Sequence, residues 1–168
     1  MASQDYEEFT GALNAHGARY LVIGAHAVAF HARPRATKDL DILIEPTPEN
    51  ARKVLAALRD FFGGADLNYT AEDMMDPDCI IQIGVAPVRI DLLSVILGCP
   101  DFPTTWNRRV EARFGGVPAQ YIGLKDLISN KEATDRLQDR ADVDVLRRAA
   151  TAKVTPARSR QPRGKPRG

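Results

Sequence analysis

The 168-residue sequence predicts an α+β domain in which a mixed β-sheet is flanked by helices. Three observations predict this class. The first 62 residues alternate helical and strand-like apolar patterns in the order helix, strand, helix, strand, helix. Two pairs of short strand-like runs follow, within residues 79–96 and 108–122, each interrupted by turn-forming residues. Two helical segments, 123–138 and 139–152, come last.

The first three elements are marked by apolar spacing and by breakers. In residues 3–16, apolar side chains recur every three or four positions, and Gly17 stands where a helix would end. Residues 19–24, "RYLVIG", form a short apolar run typical of a buried strand. The alanine-rich "AHAVAFHA", residues 25–32, then predicts a helix that ends before Pro34.

A second strand and a longer helix follow. The strand is "KDLDILIE", residues 38–45, which stops at Pro46. The helix starts near Pro48 and ends at the Gly63-Gly64 pair. Its predicted apolar face consists of Val54, Leu55, Leu58, Phe61 and Phe62.

The strand at residues 38–45 carries two aspartates on one face. Residues i and i+2 of a strand point the same way, about 6.6 Å apart, so Asp39 and Asp41 project together while Leu40 and Ile42 face the core. Aspartate is a poor strand former, and two adjacent carboxylates raise each other's pKa unless a cation neutralises them. Carboxylate oxygens without histidine or cysteine nearby favour magnesium or manganese. The alternative is that one aspartate caps a turn and the other is a solvated edge residue.

Two further positions bear on that choice. Gly24 joins a buried strand to a helix, where an anion can approach the backbone and the free N–H groups of the helix. Asp91 interrupts the apolar run "VRIDLLSVI" and would supply a third carboxylate from a neighbouring strand. The alternative for Asp91 is a strand-end acid paired with Arg89 or another arginine.

The order of these features resembles a known family. "IGA", thirteen residues later "DLDIL", and a later "RIDLL" are similar to the DNA polymerase beta-like nucleotidyltransferase superfamily. Within it, "RPRATKDLDIL" and "LISNKEATDRLQDRADVDVL" resemble the minimal nucleotidyltransferases and those of abortive-infection and toxin-antitoxin systems. The resemblance covers residues 17–148 and implies a nucleotidyltransferase fold with two C-terminal helices.

The resemblance also implies a reaction, in which a nucleoside monophosphate moves from a nucleoside triphosphate (NTP) to a hydroxyl on RNA, a protein or a small molecule. Asp39 and Asp41 would bind two Mg²⁺ or Mn²⁺ ions that grip the triphosphate. Asp91 would bind the ion that activates the attacking hydroxyl, so all three aspartates are both catalytic and metal-binding candidates.

The nucleotide itself would be bound by residues around these acids. The candidates are Gly24, Ala25, Arg35, Thr37, Lys38 and Lys131. Ordinary solvated charge is the alternative for the basic residues among them. Ala25 stands where the family usually has serine or glycine, so it offers no hydroxyl to a phosphate. A catalytically silent nucleotidyltransferase fold that acts as a binding partner is therefore the competing function.

Composition and charge predict the domain organisation and the location of the protein. With 44% hydrophobic and 27% charged residues, residues 1–150 are expected to form one globular domain, and they carry 17 Lys and Arg against 22 Asp and Glu. Residues 151–168 carry six Lys and Arg and no acid, which predicts a disordered basic tail that solubilises the protein or holds RNA weakly. The polar start and the lack of a long apolar run favour a cytoplasmic protein without membrane contact.

Overall fold

A computed structural model describes residues 2–85 and 87–154. Seven helices and six strands follow one another along these residues. In order they are α1 (Ala2–Ala15), β1 (Tyr20–Ile23), α2 (Gly24–His31), β2 (Asp39–Ile44), α3 (Pro48–Phe61), α4 (Ala71–Met75), β3 (Ile81–Val85), β4 (Val88–Leu93), α5 (Phe102–Asn107), β5 (Val110–Phe114), β6 (Val117–Tyr121), α6 (Leu124–Thr134) and α7 (Leu137–Val154).

The six strands form one mixed sheet in the order β3-β4-β2-β1-β6-β5. The pairs β3–β4, β1–β2 and β5–β6 are antiparallel, whereas β2–β4 and β1–β6 are parallel. Both hairpins predicted from the sequence are present. The α+β class with a mixed sheet, flanking helices and two C-terminal helices is therefore confirmed.

The central strand β2 has the alternation that the sequence predicts. Leu40 and Ile42 are fully buried, while Asp39 and Asp41 are partly exposed on the opposite face. At its C-terminal end the strand is buried on both faces, since Leu43 and Ile44 are 3% and 1% exposed. One end of β2 thus belongs to the core and the other end opens to solvent.

Helix α3 begins and ends where the sequence predicts. The Thr47 side chain caps its N-terminus by accepting a hydrogen bond from the Asn50 amide at 3.2 Å, and Pro48 occupies the first turn. Val54 and Leu58 are buried, and Phe61 meets Phe9 of α1 edge-to-face.

Two short helices were not predicted. Helix α4 begins with a capping box in which Thr70 and Asp73 exchange side-chain and backbone hydrogen bonds. Helix α5 begins at Asp101, whose carboxylate accepts from the Thr104 amide at 2.8 Å. With five and six residues, neither helix is long enough to show a helical period. The caps were the only signal for them in the sequence.

The break between the last two helices lies three residues before the predicted one. Helix α6 ends at Asp135, which adopts a left-handed conformation with φ 50°. The Asp139 carboxylate then accepts from the Arg136 amide at 3.2 Å and caps the start of α7. Helix α7 continues to Val154, past the predicted domain boundary at residue 150. The rest of the predicted tail, 155–168, lies outside the described residues.

None of the helices in the described ranges combines the length and the apolarity that crossing a bilayer requires.

Candidate active site

The pairing of β2 with β4 brings the three predicted acids together. Asp41 stands directly opposite Asp91 in the parallel ladder, and Asp39 stands opposite Arg89. Paired residues of adjacent strands project to the same side of a sheet, so all four side chains share one face. They line a cleft of about 650 Å³.

Gly24 closes one side of this cleft. It is the first residue of α2 and has φ +63°, a left-handed conformation that glycine adopts without strain. A Cβ atom at this position would collide with the Asp41 carboxylate. The missing side chain therefore lets an acid lie against the start of a helix. Ala25 also lines the cleft, and no side chain caps the α2 N-terminus.

Arg89 pairs with two of the three acids. Its Nη2 donates to Asp39 Oδ2 at 3.0 Å and to Asp91 Oδ2 at 3.2 Å. Pairing with Arg89 is the alternative that the sequence leaves open for Asp91. A signal for it was present, because Arg89 lies two residues before Asp91 and must share its face of the strand. The protein thus carries its own cation between the carboxylates.

The environment of Asp41 strongly perturbs its carboxyl group. Burial, together with the charges of Asp91 and Asp39, raises its pKa to about 6, and Lys131 and Arg89 oppose that rise. Arg89 therefore relieves only part of the repulsion in the cluster. A group of carboxylates with this environment is typical of a site that receives a further cation.

Replacement of Arg89 by glutamine should expose this repulsion. Without the guanidinium, three carboxylates face one another, so the melting temperature of the metal-free protein at pH 8 should fall by several degrees. Adding 10 mM MgCl₂ should raise the melting temperature of the variant more than that of the parent. Thermal denaturation with and without MgCl₂ measures both effects. Arg113→Gln, in the distant β5–β6 hairpin, is the matched control. An equal magnesium response in parent and Arg89→Gln would contradict the prediction.

The donor set fits a hard divalent cation. All three side chains offer carboxylate oxygens, and Asp91 is 8% exposed with an Oδ1 atom that is buried without a hydrogen-bond partner. Within the described ranges, no three acidic, histidine or cysteine side chains are already gathered around one ion position. Arg89 lies between two of the carboxylates, so these oxygens would have to exchange the guanidinium for a metal ion.

Two basic residues that line the cleft are paired with carboxylates. Lys131 Nζ lies 3.0 Å from Asp139 Oδ1 and 3.2 Å from Asp142 Oδ2, and its side chain is only 8% exposed. Arg35 is hydrogen-bonded to Asp142. Both basic residues line the cleft, as predicted nucleotide-binding residues should, but each is already paired with a carboxylate.

Three other polar residues lie in or near the cleft. Thr37 lines the cleft and its hydroxyl donates to the Asp39 carbonyl at 3.2 Å. Lys38 is exposed and does not line the cleft; its carbonyl accepts from the buried Tyr6 hydroxyl at 2.5 Å. Arg136, which was not among the candidates, lines the cleft with a side chain that is 77% exposed. Its place in the loop between α6 and α7 could not be read from charge spacing.

Comparison with known proteins yields one family. Residues 2–160 match a family model described as "Nucleotidyl transferase of unknown function (DUF2204)". No curated protein matches the sequence.

Proposed function

The chain belongs to this family of nucleotidyl transferases of unknown function, and from that premise we propose that it transfers a nucleoside monophosphate from an NTP to a hydroxyl acceptor. The observation that supports this reaction best is the register of β2 and β4. It places Asp41 beside Asp91, on the face that also carries Asp39, next to the bare backbone of Gly24.

The proposed reaction is an in-line displacement at the α-phosphorus of the NTP. A bond forms between the acceptor oxygen and the α-phosphorus while the bond from that phosphorus to the bridging oxygen breaks, and pyrophosphate leaves. The hydroxyl proton passes to the Asp91 carboxylate, whose Oδ1 atom has no partner in the apo protein.

Asp39, Asp41 and Asp91 are the residues that would hold two Mg²⁺ or Mn²⁺ ions. When bound, such ions stabilise the charges that develop on the attacking and leaving oxygens. Arg89, which pairs with Asp39 and Asp91, would then be available to donate to a phosphate oxygen.

The remaining candidates act on the triphosphate. The backbone at Gly24 and Ala25 offers N–H groups at the start of α2, which attract an anion. Arg35, Thr37, Lys131 and Arg136 line the cleft and supply donors to it. Lys38 would reach the nucleotide only from outside the cleft. A cytoplasmic setting and membership of a toxin-antitoxin pair belong to the same proposal, in which the acceptor hydroxyl is on RNA, a partner protein or a small molecule.

Label position tests the reaction class. The protein is incubated with MgCl₂, a cell extract and each NTP carrying ³²P at either the α or the γ position. Nucleotidyl transfer should label a product from the α position only, whereas phosphoryl transfer would use the γ position. Asp41→Asn should give no labelled product.

Thermal stability separates this proposal from the silent binding partner. An active site should give a rise in melting temperature with NTP and MgCl₂ together that EDTA removes. A parent protein with no such rise and no α-labelled product would favour the silent nucleotidyltransferase fold, a reading that the alanine at position 25 supports.

A further inference from the structure

The face that carries the acids continues into an apolar cavity. Along β2 and β4 the paired residues on this face are Asp39–Arg89, then Asp41–Asp91, then Leu43–Leu93. Successive pairs lie about 6.6 Å apart. The apolar pair therefore begins one step beyond the acids, at the end of the strands away from Asp39.

This cavity has a volume of about 720 Å³ and lies over Leu43 and Leu93. Its rim includes three large apolar side chains that are unusually exposed: Ile80 at 57%, Val95 at 49% and Leu97 at 62%. The same three side chains line the acidic cleft, so the two cavities are immediate neighbours. Exposed apolar groups concentrated at a cleft of this size are typical of a ligand site.

The charge of this cavity differs sharply from that of the cleft. No lysine or arginine belongs to its lining in the parts of the chain that the structure describes, and Glu45 and Asp101 both line it. The acidic cleft instead has Arg35, Lys131 and Arg136 in its wall. A nucleic acid backbone or a triphosphate requires cations, so the apolar cavity is unsuited to either.

In-line geometry assigns the two ends of the acidic face to different reactants. The attacking oxygen and the leaving pyrophosphate lie on opposite sides of the α-phosphorus. Pyrophosphate carries several negative charges and belongs at the Asp39 end of this face. Arg89 stands opposite Asp39 there, and Gly24 follows Ile23, which pairs with Asp41 in the antiparallel ladder. The acceptor therefore approaches from the side of Leu43 and Leu93.

We propose that the apolar cavity over Leu43 and Leu93 binds the uncharged apolar body of a small alcohol or phenol, whose hydroxyl is the acceptor of the nucleotide. This inference rests on the proposed function and narrows its acceptor class. The hydroxyl lies toward Asp91, and the apolar body contacts Val95 and Leu97.

A binding experiment tests the cavity without requiring catalysis. The neutral fluorescent probe N-phenyl-1-naphthylamine should bind the full-length parent, and Leu97→Asp should weaken its binding at least tenfold. Val85→Asp is the matched control, because Val85 is also apolar and 81% exposed but does not line the cavity. Leu97→Ser serves as a milder variant if the aspartate lowers the melting temperature.

The remaining outcomes separate this inference from the proposed function. Absence of probe binding, or displacement of the probe by an NTP with MgCl₂, would overturn the acceptor site while leaving nucleotide transfer intact. Equal labelling of RNA by the parent and Leu97→Asp would also overturn it. If NTP and MgCl₂ together do not raise the melting temperature of the parent, the proposed function is refuted instead. We expect at least one phenol of a test panel to displace the probe. The same phenol should then receive the α-label from the NTP.

Discussion

Replacing Asp41 with asparagine is expected to stabilise the metal-free protein above pH 6 while abolishing nucleotide transfer. Both effects arise because the Asp41 carboxylate lies close to the carboxylates of Asp39 and Asp91. Burial and the charges of Asp91 and Asp39 raise its pKa to about 6. Keeping it ionised costs the fold up to about 3 kcal/mol at pH 8, because a tenfold change in a protonation equilibrium corresponds to about 1.4 kcal/mol.

The pH dependence gives the sign of this effect. An acid whose pKa is raised by folding favours the folded state while it is protonated, and that contribution is lost as the pH rises from about 4 to about 6. The difference in unfolding free energy between Asp41→Asn and the parent should therefore be near zero at pH 3.5 and grow to its full value by pH 7. Urea denaturation at several pH values measures it.

Activity should respond in the opposite direction. Asparagine offers one weak oxygen ligand in place of a charged carboxylate, so α-label transfer should fall by several orders of magnitude, together with stabilisation by NTP and MgCl₂. Asp91→Asn should be as inactive but should retain more NTP binding. The control Asp144→Asn, on the exposed side of α7, should change neither property. A parent without a magnesium response, combined with an Asp41→Asn variant destabilised by several kcal/mol, would mean that these acids are structural.

Replacement of Asp139 by alanine should lower the free energy of unfolding by about 3–5 kcal/mol. The Asp139 side chain is 1% exposed and accepts hydrogen bonds from Lys131 Nζ at 3.0 Å, the Thr134 hydroxyl at 2.8 Å and Arg136 Nε at 2.8 Å. Removing the carboxylate leaves the Lys131 ammonium buried, with Asp142 as its remaining ion-pair partner in the described part of the chain. Urea denaturation of Asp139→Ala and of the control Asp144→Ala measures the loss.

Acid titration provides a second measurement of the same cluster. Burial alone would raise the pKa of Asp139, but hydrogen bonds from Arg136, Lys131 and Thr134 hold it well below its ordinary value. A depressed pKa stabilises the fold above about pH 4, and that contribution is lost as the pH falls below it. Stability of Asp139→Asn should therefore decline less steeply between pH 4 and pH 2 than that of the parent. Parallel curves would show that folding does not lower the pKa of Asp139.

The sequence predicted the parts of the site that depend on local periodicity. Alternation along one strand was enough to place Asp39 and Asp41 on one face and Leu40 on the other, and the turn residues located both hairpins. That Asp91 stands opposite Asp41 was left open, because the register of two strands separated by a long connection leaves no trace in either strand. The closeness of Lys131 to both Asp139 and Asp142 likewise depends on the angle between two helices, which a charge pattern does not specify.

The pairing of β2 with β4 also affects when the acidic site can form during folding. Asp41 and Asp91 belong to adjacent parallel strands, yet α3, α4 and β3 lie between them along the chain. Closing so long a connection costs entropy before any contact compensates it, and parallel pairing of this kind forms slowly. During synthesis, Asp39 and Asp41 leave the ribosome well before Asp91. A growing chain therefore carries Asp39 and Asp41 before Asp91 is present. The proposed chemistry begins only after β4 has paired with β2.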